Sequence, residues 1–321
     1  MPDLTVIYNP LAGTANLGSI MDRISSFWEN RGWRVKVSAT EYSGHARTLA
    51  MEAASGNQDM VLAAGGDGTL GEIAGGLAFS DTIMAPFPAG TGNSFAKELS
   101  VPRLGRVYRN GVTAACEALA DGKVQLTDIG RCGPEQFWLQ WVGAGMDGYV
   151  VEHIEPRSRI IRRLGRIGYI GEGLPILTRF PGMNASVTID DQEIKGDFLM
   201  ITLSNCRLYG GGHILLSPNA HLDDGQMEIW LFKGSGKRKI FHHIVSIARH
   251  RHHESPHIDF FMGSSISVNT EPKLPFHRDG DPAGVTPFKA WIEPKALRLL
   301  VPTTAPKGLF QNAGIPLSET F

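Results

Sequence analysis

An acid inside a glycine-rich turn is the first place where this sequence could do chemistry. Asp67 lies in Gly65-Gly66-Asp67-Gly68-Thr69-Leu70-Gly71, after an apolar run and ahead of a helix-like pattern. Glycines let main-chain N–H groups converge on one point, and a helix N-terminus adds partial positive charge. Such a turn makes an anion site, most naturally for phosphate. A carboxylate there repels phosphate unless it works through a divalent cation or takes a proton from an attacking hydroxyl. Asp67 therefore points to phosphoryl transfer rather than anion binding alone. Two further turns are built alike: Asn9-Pro10-Leu11-Ala12-Gly13, and Ala89-Gly90-Thr91-Gly92-Asn93.

These turns need elements that bring them together. LTVIY (4–8), RVKVSA (34–39, ending at Thr40), DMVLAA (59–64) and TIMAPFP (82–88) read as strands, with helices over about 17–30 and 45–54. Strands alternating with helices imply a parallel sheet with right-handed crossovers, and runs that do not alternate suit strands buried on both faces. The carboxyl ends of parallel strands share one edge, where ligands bind, so the three turns meet at one rim. Beyond Asp128 the pattern changes. FWLQWVGAG, NASVTIDDQEIKGDFLMITLSN, GQMEIWLF, SISVNT and KAWIEP, separated by signals such as Asp190-Asp191 and Asp279-Gly280, predict an antiparallel, mostly β second domain. The expected division is residues 1–128, then 129–302, with a Pro- and Gly-containing tail (303–321) that either completes the first domain or is loose.

Composition excludes several classes. The 321 residues are 42% hydrophobic and 20% charged, ordinary for a globular protein, and the formal net charge of −1 gives no field for nucleic acid. Cys116, Cys132 and Cys206 are far apart and form no CxxC pair. There is no basic, apolar leader and no run of about 18–20 apolar residues, so a cytoplasmic protein with at most peripheral membrane contact is expected. No G-x-x-x-x-G-K-[ST] occurs. Gly143-Ala-Gly145-Met-Asp-Gly148 matches G-x-G-x-x-G but sits in the β-rich half with Pro156 behind it; it reads as a close backbone approach at the interdomain cleft. The histidines His242, His243, His250, His252, His253 and His257 have no zinc-ligand spacing. Helical periodicity puts Ile240, Phe241, Ile244, Val245 and Ala248 on one apolar face, leaving the polar residues to solvent.

The motifs together resemble the diacylglycerol kinase and sphingosine kinase lipid-kinase family: Asn9-Pro10 to Gly13, Gly65 to Thr69, Pro88-Ala-Gly90-Thr91-Gly92-Asn93, Gly143 to Asp147, Leu164-Gly165 to Tyr169, Tyr209 to Gly212, Ser217 to Gly225, and Asp279-Gly280-Asp281. The resemblance runs nearly the whole chain. It implies an α/β domain and a β-sandwich-like domain with ATP between them, held by Asn9, Pro10, Leu11, Ala12, Gly13, Thr40, Gly65, Gly66, Asp67, Gly68, Thr69, Leu70, Gly71 and Thr91. It places Asp67 near the phosphates and metal, and Asp128 in a metal–water network. It implies a structural Mg²⁺ on Asp224 and the carbonyls of His221 and Gln226. Two departures stand out. Ser94 replaces an acid of the metal network, and Asp281 replaces the glutamate that serves as general base, one methylene shorter. The alternatives are a kinase of a soluble substrate, similar to NAD kinases, and a nucleotide-binding module without catalysis.

A lipid kinase needs a membrane surface. Lys233, Lys237, Arg238, Lys239, Arg249 and Arg251 lie in a stretch (233–253) without acids, and Arg157, Arg159, Arg162, Arg163 and Arg166 form a second cluster. Both suit anionic head groups, and the flanking histidines would strengthen docking at lower pH.

Overall fold

The structure, a computed structural model, describes residues 1–13, 17–104, 110–154, 177, 180 and 182–321. The first layer comprises β1 (Asp3–Tyr8), α1 (Leu17–Glu29), β2 (Arg34–Ala39), α2 (His45–Ser55), β3 (Met60–Gly65), α3 (Asp67–Leu77), β4 (Ile83–Pro88), α4 (Ser94–Glu98) and α5 (Gly111–Ala120). Its strands run parallel in the order β2-β1-β3-β4. Every residue of β3 and β4 is buried, as their unbroken apolar runs require, while the edge strand β2 is largely exposed. α1 buries Leu17, Met21, Ile24 and Trp28, a stripe at helical spacing.

The second layer follows: β5 (Lys123–Arg131), β6 (Phe137–Trp138), β7 (Trp141–Gly145), α6 (Met146–Ile154), β8 (Met183–Ile189), β9 (Gln192–Ser204), β10 (Leu208–Tyr209), β11 (Ile214–Leu215), β12 (Met227–Lys233), α7 (Lys237–Ala248), β13 (Ile258–Gly263), β14 (Ser265–Glu271), β15 (Pro275–Arg278), β16 (Asp281–Val285) and β17 (Phe288–Val301). The order β16-β15-β7-β9-β8-β14-β17 is antiparallel throughout, with β12 and β13 branching from β9. This is the expected combination of a parallel α/β layer and a mostly antiparallel β-sandwich, with one apolar core in each.

Two strands belong to both layers. β17 pairs with β14 through 288–291, and farther on lies parallel to β4 through Leu299 and Met84. β5 pairs with it on both sides of a bulge between Glu293 and Leu297. The expected division after Asp128 thus falls within β5. The tail turns back onto the first layer: β18 (Ile315–Pro316) pairs with β5, and Leu309 and Leu317 are buried in the first core.

Two sequence readings meet the structure here, and the second needs correction. The G-x-G-x-x-G stretch does pass from strand to helix, β7 into α6. β7 is nonetheless antiparallel to both its neighbours, so this is no βαβ dinucleotide unit. In α7 the buried residues are Ile240 and His243, while Phe241 and Ile244 are 69% and 40% exposed. The helix is rotated from the orientation its periodicity suggests, because His243 finds a partner inside, the carbonyl of Lys233 at 3.0 Å. His252 is buried likewise, 2.8 Å from the Leu216 carbonyl. Burial lowers the pKa of both. The arginine cluster at 157–166 and the Leu164–Tyr169 motif lie outside the described residues.

Leu309 fills the first core from the tail, so Leu309→Ala should cost about 2–5 kcal/mol in urea unfolding. A loss below about 1 kcal/mol would show that the tail is not part of that core.

Candidate functional site

β3 carries Gly65 and Gly66 to the rim, and α3 starts at Asp67 with Gly66 extended as its N-cap. The Leu70 N–H closes the first turn on the Gly66 carbonyl at 3.0 Å. β4 brings the next turn alongside: the amides of Ala89 and Gly90 donate to the Gly65 carbonyl at 3.2 and 3.0 Å. The approach is so close that a Cβ on Gly90 would stand 2.4 Å from Gly66 Cα. Asn93, left-handed at φ 53°, clamps this turn by accepting the Gly90 N–H (2.8 Å) and donating to the Gly90 carbonyl (2.7 Å). Gly13 joins them at φ +66°, where a side chain would strike the Ala89 carbonyl at 2.5 Å.

The expected nucleotide-holding residues therefore converge. Asn9 shapes its turn by accepting the Leu11 N–H at 2.9 Å, and Ala12 donates to the Asn9 carbonyl at 3.0 Å. Pro10 and Thr91 lie within two of these turns, and Thr40 ends β2 with its N–H on the Tyr8 carbonyl at 2.9 Å. Gly68, Thr69 and Gly71 lie in the first turns of α3. Leu70 is buried in the core, so it can offer a ligand only its main chain.

Asp67 sits at the N-terminus of α3, where the helix field favours a negative charge. Its Oδ1 accepts the Phe95 N–H at 3.1 Å and faces the buried Gln140 amide nitrogen at 3.4 Å. Two amide donors thus flank the acid, and Ser94 is the chain neighbour of the Phe95 donor.

The second domain brings its own acid to this place. In the turn joining β15 to β16, Asp279 accepts three amides, from Leu139, Gln140 and Trp141, at 2.7, 2.8 and 3.0 Å. Its own N–H returns to the Trp141 carbonyl at 2.7 Å. So anchored, the turn holds exposed Asp281 over α3: its Oδ2 lies 3.1 Å from where a Gly68 Cβ would be. The shorter side chain still reaches the phosphate turn because the two elements touch. Gln140 links both acids, its side chain facing Asp67 and its main chain holding Asp279.

Beneath the turn lies a pair that sequence reading did not find. His277 Nε2 and Asp147 Oδ2 are 2.8 Å apart and nearly fully buried. Burial opposes ionisation of Asp147, but His277 and a hydrogen bond from Tyr209 outweigh it and lower its pKa. The Gly280 N–H reaches His277 Nδ1 at 3.3 Å. Gly143 makes the pair possible, since a Cβ there would lie 2.1 Å from Asp147 Oδ2 and 2.4 Å from His277 Nε2. The close backbone approach expected at the interdomain cleft lies instead within the second layer, with β15 and this pair as its partners. Nothing local signals an interaction between residues so far apart in sequence. Gln140 and the amide-binding role of Asp279 were missed for the same reason.

Asp128, His221, Asp224 and Gln226 form a second group, around the β17 bulge. Asp128 is buried and accepts the amides of Lys295 (2.7 Å) and Gly225 (2.6 Å). Burial first, then the charges of Asp224 and Asp223, push its pKa up to about 6 against those two amides. Asp223 accepts two tail amides, Gln311 at 2.7 Å and Asn312 at 2.9 Å. Asp224 Oδ1 accepts the Gln226 N–H at 3.0 Å, and burial raises its pKa. Among the described residues no three His, Cys, Asp or Glu side chains form a metal-binding cluster. A cation here would rest on Asp224 and carbonyl oxygens, a donor set that fits a hard, partly hydrated ion.

Across the cleft, buried Glu98 of α4 takes the Arg207 Nε at 2.7 Å and the Leu208 N–H at 2.8 Å, tying the first layer to the second.

Two family models match the chain: "Diacylglycerol kinase catalytic domain" over residues 3–132 and "YegS C-terminal NAD kinase beta sandwich-like domain" over residues 140–301. A diacylglycerol kinase of Bacillus subtilis (strain 168) is 26% identical over 286 residues, covering 88% of this chain and 90% of its own. One of Staphylococcus carnosus (strain TM300) is 24% identical over 285 residues, covering 88% and 89%. A crystal structure of a diacylglycerol kinase from Bacillus anthracis str. Sterne superposes with a TM-score of 0.70 at 20% identity, covering 95% and 98%; at that identity it speaks for the fold alone.

Gly143→Ala should split the Asp147–His277 pair and cost about 1–3 kcal/mol in denaturant unfolding; an unchanged midpoint would mean the pair yields without loss. Asp128 carries a pH signature. Its folded pKa, about 6, exceeds an unfolded value near 3.9. The native state therefore holds this proton more tightly, and its contribution is full below about pH 4 and lost as pH rises to about 6. Asp128→Asn lacks this loss. Measured by urea unfolding in EDTA, the stability difference should move in the variant's favour from pH 4 to 7; a flat difference would show that Asp128 does not titrate there.

Proposed function

The chain belongs to the family that joins a diacylglycerol kinase catalytic domain to a YegS-type, NAD kinase β-sandwich-like domain, and from that premise we propose that it moves the γ-phosphoryl group of ATP to a hydroxyl of a membrane lipid. At family level it is a lipid kinase, a phosphotransferase with an alcohol acceptor. Diacylglycerol and a sphingoid base are the acceptors in view. One observation carries the reading: three main-chain turns converge on the start of α3, and each domain contributes one acid there, Asp67 and Asp281.

In this reading the amides around Gly13, Gly66 to Gly68 and Thr91 hold the triphosphate, and the α3 N-terminus favours its charge. Asp281 takes the proton of the acceptor hydroxyl. The oxygen attacks the γ-phosphorus in line, the bond to the β,γ-bridging oxygen breaks, and ADP leaves. Asp279, held by three amides, fixes the reach of Asp281, and the Asp147–His277 pair supports the same turn from below. Asp67 would hold Mg²⁺ against the phosphates, and Asp224 with the carbonyls of His221 and Gln226 a structural Mg²⁺. Bound there, the ion supplies charge neutralisation. The nearly buried Glu98–Arg207 pair keeps the two halves of the cleft in register.

Labelled ATP with magnesium, incubated with a membrane lipid extract or with soluble metabolites, tests the reading. Label in the organic phase supports it. Label in the aqueous phase points to a soluble acceptor, and label in neither to nucleotide binding without transfer. Asp67→Asn and Asp281→Asn should each cut turnover by at least about 100-fold with unchanged unfolding midpoints. Wild-type turnover in Asp281→Asn would remove that residue as the base.

A further inference from the structure

α7 presents an unusual outer face. Ile240 and His243 point inward, and Ile247 packs partly against the second core. Outside this stripe Phe241 is 69% exposed, and Ile244, one turn on from Ile240 at the edge of the buried stripe, is 40% exposed. Around these apolar side chains stand exposed Lys237, Arg238, His242 and Arg249. The stretch 234–253 has no aspartate or glutamate. The nearby acids are already engaged, Asp259 with Lys233 and Glu254 with Arg251. Among the described residues Lys237, Arg238, Lys239 and Arg249 make no ion pair. The edge strand β13, which pairs only with β12, adds Phe260 and Met262, each 44% exposed.

A helix that hides a histidine and shows a phenylalanine is built for something other than water. We propose that the outer face of α7 lies flat on an anionic phospholipid bilayer. Phe241 and Ile244 would enter the boundary between head groups and acyl chains, and the four unpaired cations would meet the lipid phosphates. An apolar centre with a cationic rim and no acid is what an interfacial helix presents. Long Lys and Arg side chains can lay their stems along the acyl boundary while their charges stay among head groups. A nucleic acid would use the cations but leave Phe241 and Ile244 in water. A partner protein would have to supply an acidic rim around an apolar slot, whereas an anionic bilayer offers both in any orientation. This face stands apart from the phosphate turns, and the inference goes beyond the kinase reading without depending on it.

Co-sedimentation of the full chain tests the proposal without turnover. Vesicles of phosphatidylglycerol and phosphatidylcholine should pellet the protein at low salt, and vesicles of phosphatidylcholine alone should bind it at least about tenfold less. Raising salt to about 0.5 M should release most of it. The variants F241S/I244S and R238E/R249E should each weaken binding by about tenfold or more, with unchanged urea midpoints because these side chains are exposed. Equal binding by wild type and both variants, or no preference for anionic vesicles, overturns the proposal. So does a wild-type dimer on gel filtration that F241S/I244S converts to monomer without any vesicle binding, which would assign the face to self-association.

Discussion

Both layers are threaded by one two-stranded ribbon, β5 with β17, and a single buried carboxylate decides where it bends. Asp128 takes one amide from the β17 bulge and another from the loop before β12. At that bulge the chain leaves the antiparallel layer and continues toward its parallel pairing with β4. An ordinary strand could not serve two sheets of different orientation without such a break, because the pleat would carry its side chains to the wrong faces. The relative placement of the two domains, and with it the meeting of Asp67 and Asp281, follows from where this break is held.

The cleft itself is a problem of crowding. Main chain from three turns must pass through one small volume, and the strands that carry it lie only about 4.8 Å apart. Glycine removes the side chains that would collide, as at Gly13 and Gly90. Buried polar groups then hold what the glycines leave loose: Asn93 folds back on its own turn, and Asp279 gathers three amides of its own domain. Such groups are costly to bury unless they are paired, so each also specifies one arrangement of the loop around it.

Much of this was legible in the residues. Apolar runs ending in glycine turns located β1, β3 and β4 within a residue or two, because buried strands and tight glycine turns both leave a compositional mark. Asp67 stood out in its glycine turn and Asp281 through the family likeness, and the structure sets both at the start of α3. What escaped depended on long-range pairing. The Asp147–His277 contact, the link through Gln140 and the amide grip of Asp279 join segments whose separation carries no periodicity. The orientation of α7 escaped for another reason. Amphipathicity counts His243 as polar, yet an imidazole that finds a carbonyl at 3.0 Å can be buried at modest cost, freeing the apolar residues to face outward.

The tail has a bearing on how the chain assembles during synthesis. The strand that lies beside β4 and the buried Leu309 and Leu317 are supplied by residues 297–317, whereas β4 itself is made at 83–88. Contacts this distant in sequence close slowly and late. Until the residues of β17 beyond 297 have left the ribosome, β4 is the strand that a chaperone, or a second unfinished chain, could pair with first.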